Sequence, residues 1–366
     1  MHPRKYETNL GIMAKKSETD ETTLQQLLLD WFDRERRDLP WRRTQDPYAI
    51  WVSEIMLQQT RVAAVLEPYR AFLERFPTVQ ALAAAEEAAV LAAWSGLGYY
   101  RRARMLHRAA QQICSSGNGR IPLSHAALLE LPGIGRYTAA AIASIAYGEP
   151  VAAVDGNVER VLLRLRGWGS EDPVLHAQHL RRVQQEAARL LQPASPGDWN
   201  QAMMELGATV CLPRAPRCEA CPWMAGCATR GEHDAVRRAP MRTEIRNYRW
   251  QTRHSAGAEQ LLLIQRSPAQ TVMPGMWELP PVPDTPGKPD KLDKPDEQNK
   301  PILQLRHAIM QVNYQITILR DEGPAPADGR WVTAEEATTM ALTGLARKVM
   351  RRLGWLPTGS RGPKAR

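Results

Sequence analysis

Through most of the chain, up to about residue 230, apolar residues recur at the three- to four-residue spacing of amphipathic helices. Residues 22–35 predict the first helix, with one apolar face formed by Leu24, Leu27, Leu28, Trp31 and Phe32. The same spacing predicts further helices over residues 48–57, 62–75, 81–94, 126–131, 137–145, 157–166 and 176–191, and residues 199–210 lead into a group of cysteines. We therefore expect a mainly α-helical fold in this part.

Beyond residue 231 the pattern changes. Strand-like alternation appears at residues 261–265, 277–279 and 312–319, and residues 334–353 have helical spacing. Residues 284–301, rich in Pro, Lys and Asp, predict a long mobile loop inside a small α+β domain. The expected order is a disordered tail (1–20), a helical domain (21–231), a linker (232–243), the α+β domain (244–356) and a second tail (357–366).

Composition narrows the class of protein. The 366 residues carry a net charge of +9, which favours acidic partners, with nucleic acid the first candidate and a merely soluble basic protein the alternative. No run of about 18 apolar residues is present, so no membrane span is expected. The first twenty residues lack the apolar core of a signal peptide, and we expect a cytoplasmic, nucleoid-associated protein.

Two glycines one residue apart, Gly133 and Gly135, separate two of the predicted helices. Pro132 stops the first helix, and the glycines favour a turn because both are unfavourable inside a helix. A helix, a Gly-x-Gly hairpin and a helix present free backbone N–H groups that suit a phosphate oxygen and need no base sequence. The alternative is a plain tight turn, but Asp155 and the cysteines farther along favour phosphate binding.

Glu54 is the only acidic residue of the helix predicted over 48–57, and its neighbours are apolar. Partial desolvation would raise its pKa and allow it to donate a proton near neutral pH. The alternative is that Glu54 only pairs with an arginine. At the start of this helix, Asp46 is the predicted N-cap and Pro47 the first helical residue.

Aromatic, basic and amide side chains occur together at three predicted turns. Residues 36–43 contain four arginines with Trp41 between them, which can hold phosphate and stack on a base, unless Trp41 packs into the core. Gln59 and Thr60 fall at a helix junction and are suited to reach into a duplex. Tyr99 lies on a glycine-rich turn, where it can act as a wedge between bases, core packing being the alternative.

Four of the five cysteines follow the pattern Cys-x6-Cys-x2-Cys-x5-Cys. They are Cys211, Cys218, Cys221 and Cys227. This distribution indicates a metal site in a reducing compartment rather than a disulfide framework. Four thiolates in a compact loop bind zinc or a cubane iron–sulfur cluster, and a zinc finger more often uses two close pairs. Arg214 and Arg217 lie between the first two cysteines, where a bound metal would hold them towards DNA phosphate.

Together these motifs resemble those of the helix-hairpin-helix DNA glycosylases that carry a [4Fe–4S] cluster, and among them the MutY family of adenine-specific mismatch glycosylases. The resemblance rests on Leu-Pro-Gly-Ile-Gly at 131–135, Val-Asp at 154–155 and the cysteine spacing. It extends to Leu-Pro-Trp-Arg at 39–42, Ser-Glu-Ile-Met-Leu-Gln-Gln-Thr-Arg at 53–61, Gly-Leu-Gly-Tyr-Tyr-Arg at 96–101 and Asn-Gln-Ala-Met-Met-Glu-Leu-Gly-Ala at 200–208.

The C-terminal part adds Met-Pro-Gly-Met-Trp-Glu-Leu-Pro at 273–280, which resembles the Nudix-type domain with which that family inspects 8-oxoguanine. The run of glutamates that makes a Nudix hydrolase is not visible in the sequence. The resemblance therefore implies recognition of the oxidised base and not hydrolysis.

For the chemistry, the resemblance implies removal of adenine mispaired with 8-oxoguanine or guanine, with a [4Fe–4S] cluster on the four cysteines. Glu54 would protonate the adenine at N7, and Asp155 would stabilise the oxocarbenium-like sugar, with or without a covalent intermediate. General chemistry agrees, because the bond breaks when the base leaves neutral and the sugar cation meets a carboxylate. Asn157 would orient Asp155 or the attacking water, and Asp155 is also a candidate N-cap of the following helix.

The same resemblance implies the DNA contacts. Adenine cannot react inside the base stack, so it must be flipped into a pocket. The positions implied for the pocket are Trp41, Arg42 and Gln201, and those implied for the opposite strand and the gap are Gln59, Thr60 and Tyr99. The partner is double-stranded DNA with an A:8-oxoguanine or A:G mismatch, no membrane is involved, and the protein is expected to be a monomer.

Two positions depart from the family pattern. Bifunctional members of the superfamily carry a lysine where this chain has Tyr137, and a tyrosine cannot form a Schiff base, so excision without efficient strand cleavage is implied. The loop that reads 8-oxoguanine usually contains Phe-Ser-His, whereas His307-Ala308 is followed here by Ile-Met-Gln at 309–311. That difference predicts a weaker preference for the oxidised base.

The sequence leaves two alternative functions open. A thymine or uracil mismatch glycosylase of the same superfamily also fits the tyrosine at position 137, although the C-terminal domain argues against it. A non-catalytic DNA-binding iron–sulfur protein is the second, and the presence of both Glu54 and Asp155 argues against it.

Overall fold

The computed structural model describes residues 21–116, 119–168, 173–231, 241–255, 257–267, 269–270, 272–282, 301–309 and 312–357. The predicted tails, linker and long loop fall mostly on residues 1–20, 232–240, 284–300 and 358–366, which lie outside those ranges. The predicted domain boundaries therefore stay predictions. None of the described helices is both long enough and apolar enough to cross a bilayer.

The chain forms two compact units. The first unit comprises Met1–Asp38 and Ala143–Arg237, and the second comprises Leu39–Ile142 and Arg238–Arg366. Among the residues that the structure describes, eleven α-helices precede residue 210: α1 (Glu21–Glu35), α2 (Pro47–Leu57), α3 (Val62–Arg75), α4 (Val79–Ala83), α5 (Glu87–Ala93), α6 (Arg101–Ser116), α7 (His125–Leu129), α8 (Arg136–Tyr147), α9 (Gly156–Arg166), α10 (Pro173–Leu190) and α11 (Pro196–Thr209).

Helices α1, α9, α10 and α11 form the core of the first unit. The buried indole of Trp223 donates a hydrogen bond of 2.8 Å to the carbonyl of Leu24, which ties the cysteine-containing segment to α1. The guanidinium of Arg37 forms two parallel hydrogen bonds of 2.7 Å with the carboxylate of Glu205, which is almost fully buried. The two hydrogen bonds compensate the buried charge of the Glu205 carboxylate, which would be costly to bury without a partner.

The helix predicted over residues 81–94 is wrong: the structure divides it into α4 and α5. Leu82 and Leu91 are both buried, yet they are nine positions apart, which places them on opposite faces of a continuous helix. The break after Ala84 lets both side chains enter one core. Thr78 caps α4 through its hydroxyl, which accepts a hydrogen bond from the Ala81 amide.

The described residues of the C-terminal part of the second unit form seven strands: β1 (Arg242–Trp250), β2 (Thr252–Ser255), β3 (Ala258–Gln265), β4 (Trp277–Glu278), β5 (Pro301–Ile309), β6 (Val312–Arg320) and β7 (Gly329–Thr333). Strands β1, β6 and β5 form one sheet in that order, with β1 parallel and β5 antiparallel to β6. In the second sheet β3 is the central strand, with β7 on one side and with β2 and β4 paired to different parts of its other side, all antiparallel. The three predicted strands are confirmed, whereas β1, β2, β5 and β7 were not predicted. In β1 most residues are polar, so no apolar alternation marks the strand.

The single helix predicted over residues 334–353 is also wrong. The structure has α12 (Ala334–Thr339) and α13 (Gly344–Arg352) with an extended segment between them. Thr343 causes the break: it is fully buried, its hydroxyl caps α13 at the Ala346 amide, and the same hydroxyl donates to Glu278 at 3.1 Å. The predicted α+β class of this part is confirmed.

Within the second unit, the start of α6 contacts the C-terminal part directly. The hydroxyl of Tyr100 donates to the carbonyl of Leu342 at 3.0 Å, and Nη2 of Arg104 donates to the carbonyl of Pro274 at 2.6 Å. These hydrogen bonds fix the turn that precedes α6 against the two sheets and their helices.

Candidate functional site

Helix α2 carries Glu54 on a segment that is buried almost throughout. Its N-cap is Asp46, which accepts a hydrogen bond of 3.0 Å from the Tyr48 amide, and Pro47 is its first residue, as predicted. Apolar side chains surround the helix, so only 6% of Glu54 is exposed. A carboxyl group so placed loses most of its hydration and depends on hydrogen bonds from the protein.

Tyr137 supplies such a hydrogen bond. Its hydroxyl donates to Oε2 of Glu54 at 2.7 Å across a separation of 83 residues. The next residue, Thr138, is buried, and its Oγ1 accepts a hydrogen bond of 3.3 Å from Gln58. The first turn of α8 is thereby joined to the end of α2 by side chains. The sequence marked Tyr137 only as the replacement for a lysine and did not predict this contact.

The glycine hairpin immediately precedes α8. Gly133 has a φ of 78°, and a Cβ added there would lie 2.4 Å from Cβ of Met105 on α6. Both the left-handed backbone and the close approach to α6 therefore require glycine. Gly135 is exposed with open space around it, and α8 begins at the next residue with its N-terminal amides not yet paired inside the helix. The predicted helix, turn and helix are confirmed, and the bound phosphate stays a prediction.

Asp155 is the N-cap of α9. Its Oδ1 accepts hydrogen bonds from the amides of Asn157 (2.9 Å) and Val158 (2.8 Å), and its Oδ2 accepts one from the Asn157 side chain (2.9 Å). The capping alternative considered from the sequence is therefore observed, and Asn157 orients Asp155. Because three donors hold it, the half-buried carboxylate has one defined orientation.

Arg160 was not among the residues predicted from the sequence. It lies one turn farther along α9 and binds Asn157, the partner of Asp155. It donates to Oδ1 of Asn157 (2.9 Å) and to the carbonyls of Gly207 (2.8 Å) and Cys211 (2.9 Å). Burial lowers the pKa of its guanidinium from the ordinary value. A Cβ on Gly207 would lie 2.6 Å from that of Asn157, so glycine is required where α11 passes α9.

Asn200 holds the segment that leads into Asp155. Its side chain is buried, donates to Ser144 and to the carbonyl of Val151 (both 2.8 Å), and accepts from the Ala153 amide (3.0 Å). The sequence signal was present, since Asn200 opens one of the motifs quoted above, but the motif alone does not show which backbone groups it binds.

The residues predicted to contact DNA differ widely in exposure. Gln59 and Tyr99 are exposed, Thr60, Arg42 and Gln201 are half-buried, and Trp41 is buried with its ring edge-to-face against Tyr69 at 5.3 Å between centroids. The packing of Trp41 matches the core alternative considered above. Its contact with a flipped base stays a prediction, as do the roles of the other five.

The four cysteines line one cavity in the first unit, together with apolar residues of α9 and α11. All are half-buried free thiols. Burial, followed by the charges of the neighbouring thiolates, raises the pKa of the Cys218 thiol, and burial raises that of Cys221 to about 11. Within the described ranges, no three Cys, His, Asp or Glu side chains converge on a point where they could hold one metal ion.

Arg164 fixes the loop between the first two cysteines. It is buried, and its guanidinium donates to Sγ of Cys211 (3.4 Å) and to the carbonyls of Leu212 (2.6 Å) and Pro213 (2.9 Å). Arg217, in the same loop, is exposed and its amide donates to the carbonyl of Val210 at 2.9 Å. These contacts hold the loop in place, and Arg217 is exposed to solvent.

In the C-terminal part, His307 lies on β5 opposite Tyr314 of β6. Burial lowers the pKa of His307, with Lys348 adding to the effect. Met310 and Gln311, on which the predicted change in base preference depends, lie outside the described residues. Asn313, two positions after Gln311 in the sequence, is exposed on β6.

The chain is similar to known DNA repair proteins. A family model described as HhH-GPD superfamily base excision DNA repair protein matches residues 52–186. A human protein named adenine DNA glycosylase is 35% identical over 400 aligned positions, covering 88% of this chain and 72% of the relative. The mouse protein of that name is 34% identical over 409 positions, covering 91% and 78%. That of Mycolicibacterium smegmatis is 46% identical over 196 positions, covering 53% and 66%.

Among solved structures, a thermostable thymine-DNA glycosylase is 30% identical with a TM-score of 0.52, covering 57% of this chain and 95% of that chain. The shared fold therefore corresponds to a little over half of the present chain.

Proposed function

The chain belongs to the adenine DNA glycosylases of the HhH-GPD superfamily of base excision DNA repair proteins, and we propose that it removes adenine mispaired with 8-oxoguanine or guanine from duplex DNA without cleaving the strand. Relatives named adenine DNA glycosylase span most of the chain and support adenine as the released base. The names of these relatives specify neither the base opposite adenine nor whether the strand is cleaved, so both remain parts of the proposal.

The placement of Glu54 carries the proposal. The side chain is buried on an apolar helix and hydrogen-bonded to Tyr137. A purine leaves its sugar readily only when it is protonated, because the base then departs as a neutral molecule. A carboxylic acid held in one orientation and shielded from water is suited to donate that proton, and Glu54 is proposed to donate it to N7 of adenine.

Asp155 is proposed to act on the sugar. As the base departs, positive charge develops on the sugar ring, and a carboxylate already held by three hydrogen bonds stabilises it without reorganising. Asn157 contributes by orienting Asp155, and its hydrogen bond from Arg160 keeps the amide oxygen facing away from that carboxylate. Capping α9 and stabilising the sugar are compatible roles for one side chain.

Adenine must leave the base stack before it reacts. We assign Trp41, Arg42 and Gln201 to the pocket for the flipped base, and Gln59, Thr60 and Tyr99 to the opposite strand and the gap. The exposed Tyr99 ring on its glycine-rich turn supports the wedge role. The Gly133–Gly135 hairpin and the exposed Arg217 supply backbone amides and positive charge for phosphate.

Strand cleavage by this superfamily depends on an amine that attacks the sugar and forms a Schiff base. The corresponding position holds Tyr137, whose hydroxyl is engaged with Glu54. This supports a mechanism in which water is the nucleophile and an intact abasic strand is the product.

The four cysteines are proposed to hold a [4Fe–4S] cluster. They line one cavity, and their sequence contains one close pair of cysteines where a zinc finger more often has two, which supports a cluster rather than zinc. When bound, such a cluster offers one-electron redox chemistry and cross-links the loop. The protein contributes Arg164, which binds Cys211 and the backbone beside it.

We further propose that the C-terminal part is a Nudix-like domain that inspects the base opposite adenine. Its two sheets with packed helices, and the segment 273–280, support this assignment. The protein is proposed to act as a monomer in the cytoplasm at the nucleoid.

A thymine mismatch glycosylase is the second candidate, favoured by the thymine-DNA glycosylase with which the chain shares its helical fold. One experiment separates the two. The protein is incubated with duplexes containing A opposite 8-oxoguanine, A opposite guanine, and T opposite guanine, and abasic sites are then cleaved with alkali. We expect cleavage at adenine in the first two duplexes only and no strand break without alkali. Release of thymine alone would overturn the proposal.

A further inference from the structure

Arg102 joins two surface segments on which the proposed function places DNA contacts. It lies in the first turn of α6, and its guanidinium is half-buried. Nη1 donates to the carbonyls of Ile55 (2.8 Å) and Met56 (3.0 Å) and also to that of Gln58. These carbonyls belong to the end of α2, where helical carbonyls have no partner within the helix.

The other terminal nitrogen of Arg102 turns to different partners. Nη2 donates to Oγ1 of Thr60 (3.2 Å) and to the carbonyls of Leu97 (3.0 Å) and Gly98 (3.2 Å). One planar group therefore bridges the loop that follows α2 and the turn that precedes α6.

Each bridged segment contains a residue in an unfavourable backbone conformation. Gln59 has a φ of 56° and Tyr99 a φ of 47°, in the left-handed region that side chains other than glycine rarely adopt. Both side chains are exposed. The Arg102 guanidinium also makes two cation–π contacts, with Cζ at 5.5 Å from the ring centroid of Tyr99 and 5.6 Å from that of the buried Trp94.

We propose that Arg102 is a positioning residue for adenine excision: it holds Gln59 and Tyr99 in the conformations with which they enter the gap left by the flipped base. This inference rests on the proposed function, since the two side chains have a target only if the base is flipped. Both terminal nitrogens are needed, because Nη1 binds three carbonyls at the end of α2 whereas Nη2 binds Thr60 and the two carbonyls of the turn before α6. Lysine has one nitrogen and cannot bridge them in the same way.

The test compares Arg102→Lys and Arg102→Gln with Arg101→Gln, which removes an exposed charge from the same helical turn. Two quantities are measured in the full-length protein, at a temperature where circular dichroism shows each variant to be folded. The first is the single-turnover rate of adenine release at saturating enzyme from an A:8-oxoguanine duplex. The second is the fluorescence of 2-aminopurine placed next to the target adenine, which increases when neighbouring bases unstack, recorded with Asp155→Asn also present to prevent excision.

We expect both Arg102 variants to lose at least tenfold in rate and most of the fluorescence increase, whereas Arg101→Gln stays within twofold in both. If Arg102→Gln does not fold, Arg102→Lys, which keeps the charge and the aliphatic stem, decides the matter. Rate and fluorescence within twofold of wild type for Arg102→Lys would overturn the inference. Absence of adenine release by the wild-type protein would instead overturn the proposed function, and the fluorescence increase would still report whether Arg102 positions the two side chains.

Discussion

The hydroxyl of Tyr137 donates a 2.7 Å hydrogen bond to the carboxyl group of Glu54. In the proposed function Glu54 is the acid, so this contact joins the acid to the residue whose lack of an amine was the basis for predicting excision without strand cleavage.

Tyr137→Phe tests this contact. The change keeps the ring and removes the hydroxyl, so Glu54 loses one oriented hydrogen bond in a buried site. As Glu54 donates its proton it becomes a carboxylate, and a hydrogen bond to such a charged group contributes about 1.5–3 kcal/mol, so we expect a fall of roughly 10- to 100-fold in the single-turnover rate. Tyr48→Phe is the matched control, because its hydroxyl donates to the carbonyl of Phe76 in another buried location. Equal rates for Tyr137→Phe and the control would contradict the role of this contact.

Glu54→Gln removes the proposed proton donor and keeps the shape of the side chain. We expect the variant to bind the mismatched duplex and to release adenine about 10²–10⁴-fold more slowly, the usual contribution of a general acid. Glu67→Gln, on an exposed face of α3, is the control and should have the wild-type rate. A rate for Glu54→Gln within threefold of wild type would exclude the general-acid role.

Asp155 is tested with two substitutions that separate chemistry from capping. Asparagine caps a helix nearly as well as aspartate, whereas alanine at an N-cap lowers stability by about 1 kcal/mol. We expect Asp155→Asn to abolish excision with little change in melting temperature, and Asp155→Ala to abolish excision and melt earlier. An Asp155→Asn protein that excises adenine normally would leave capping as the only role of this residue.

The metal content of the four-cysteine loop is the fourth prediction. Protein purified without oxygen should be brown and contain iron and sulfide in a ratio of about four to four. Cys218→Ser should lose most of the visible absorbance, whereas Cys114→Ser, a change at the cysteine outside the loop, should keep it. One zinc ion per chain and a colourless protein would contradict the cluster.

Preference for 8-oxoguanine over guanine is expected to be present but reduced, because residues 310–311 are Met-Gln instead of Ser-His. Introducing Met310→Ser together with Gln311→His in the full-length protein should restore the polar contacts. A recovered hydrogen bond is worth about 0.5–1.5 kcal/mol, so the ratio of the A:8-oxoguanine rate to the A:G rate should increase by up to about tenfold. The A:G rate serves as the internal control. An unchanged ratio would show that this loop does not read the oxidised base.

The sequence alone determined those features that depend on residues close together in the chain. Asp46 and Pro47 start α2 and Asp155 starts α9, because a short polar side chain binds the amides two or three residues ahead. The paired glycines specified the hairpin because the backbone at Gly133 is left-handed. The spacing of the cysteines likewise marked their loop as a candidate metal site.

Tertiary structure alone decided which distant groups meet. Tyr99 and Tyr100 are adjacent and chemically identical, yet 45% of the first residue is exposed and 2% of the second, whose hydroxyl binds the carbonyl of Leu342 in the C-terminal part. The contact of Tyr137 with Glu54 and the bridge made by Arg102 depend in the same way on how helices pack. A helix can be predicted because the residues that specify it are neighbours in the chain. The contacts of Tyr137 with Glu54 and of Arg102 with the end of α2 join residues tens of positions apart, so no local sequence pattern predicts them.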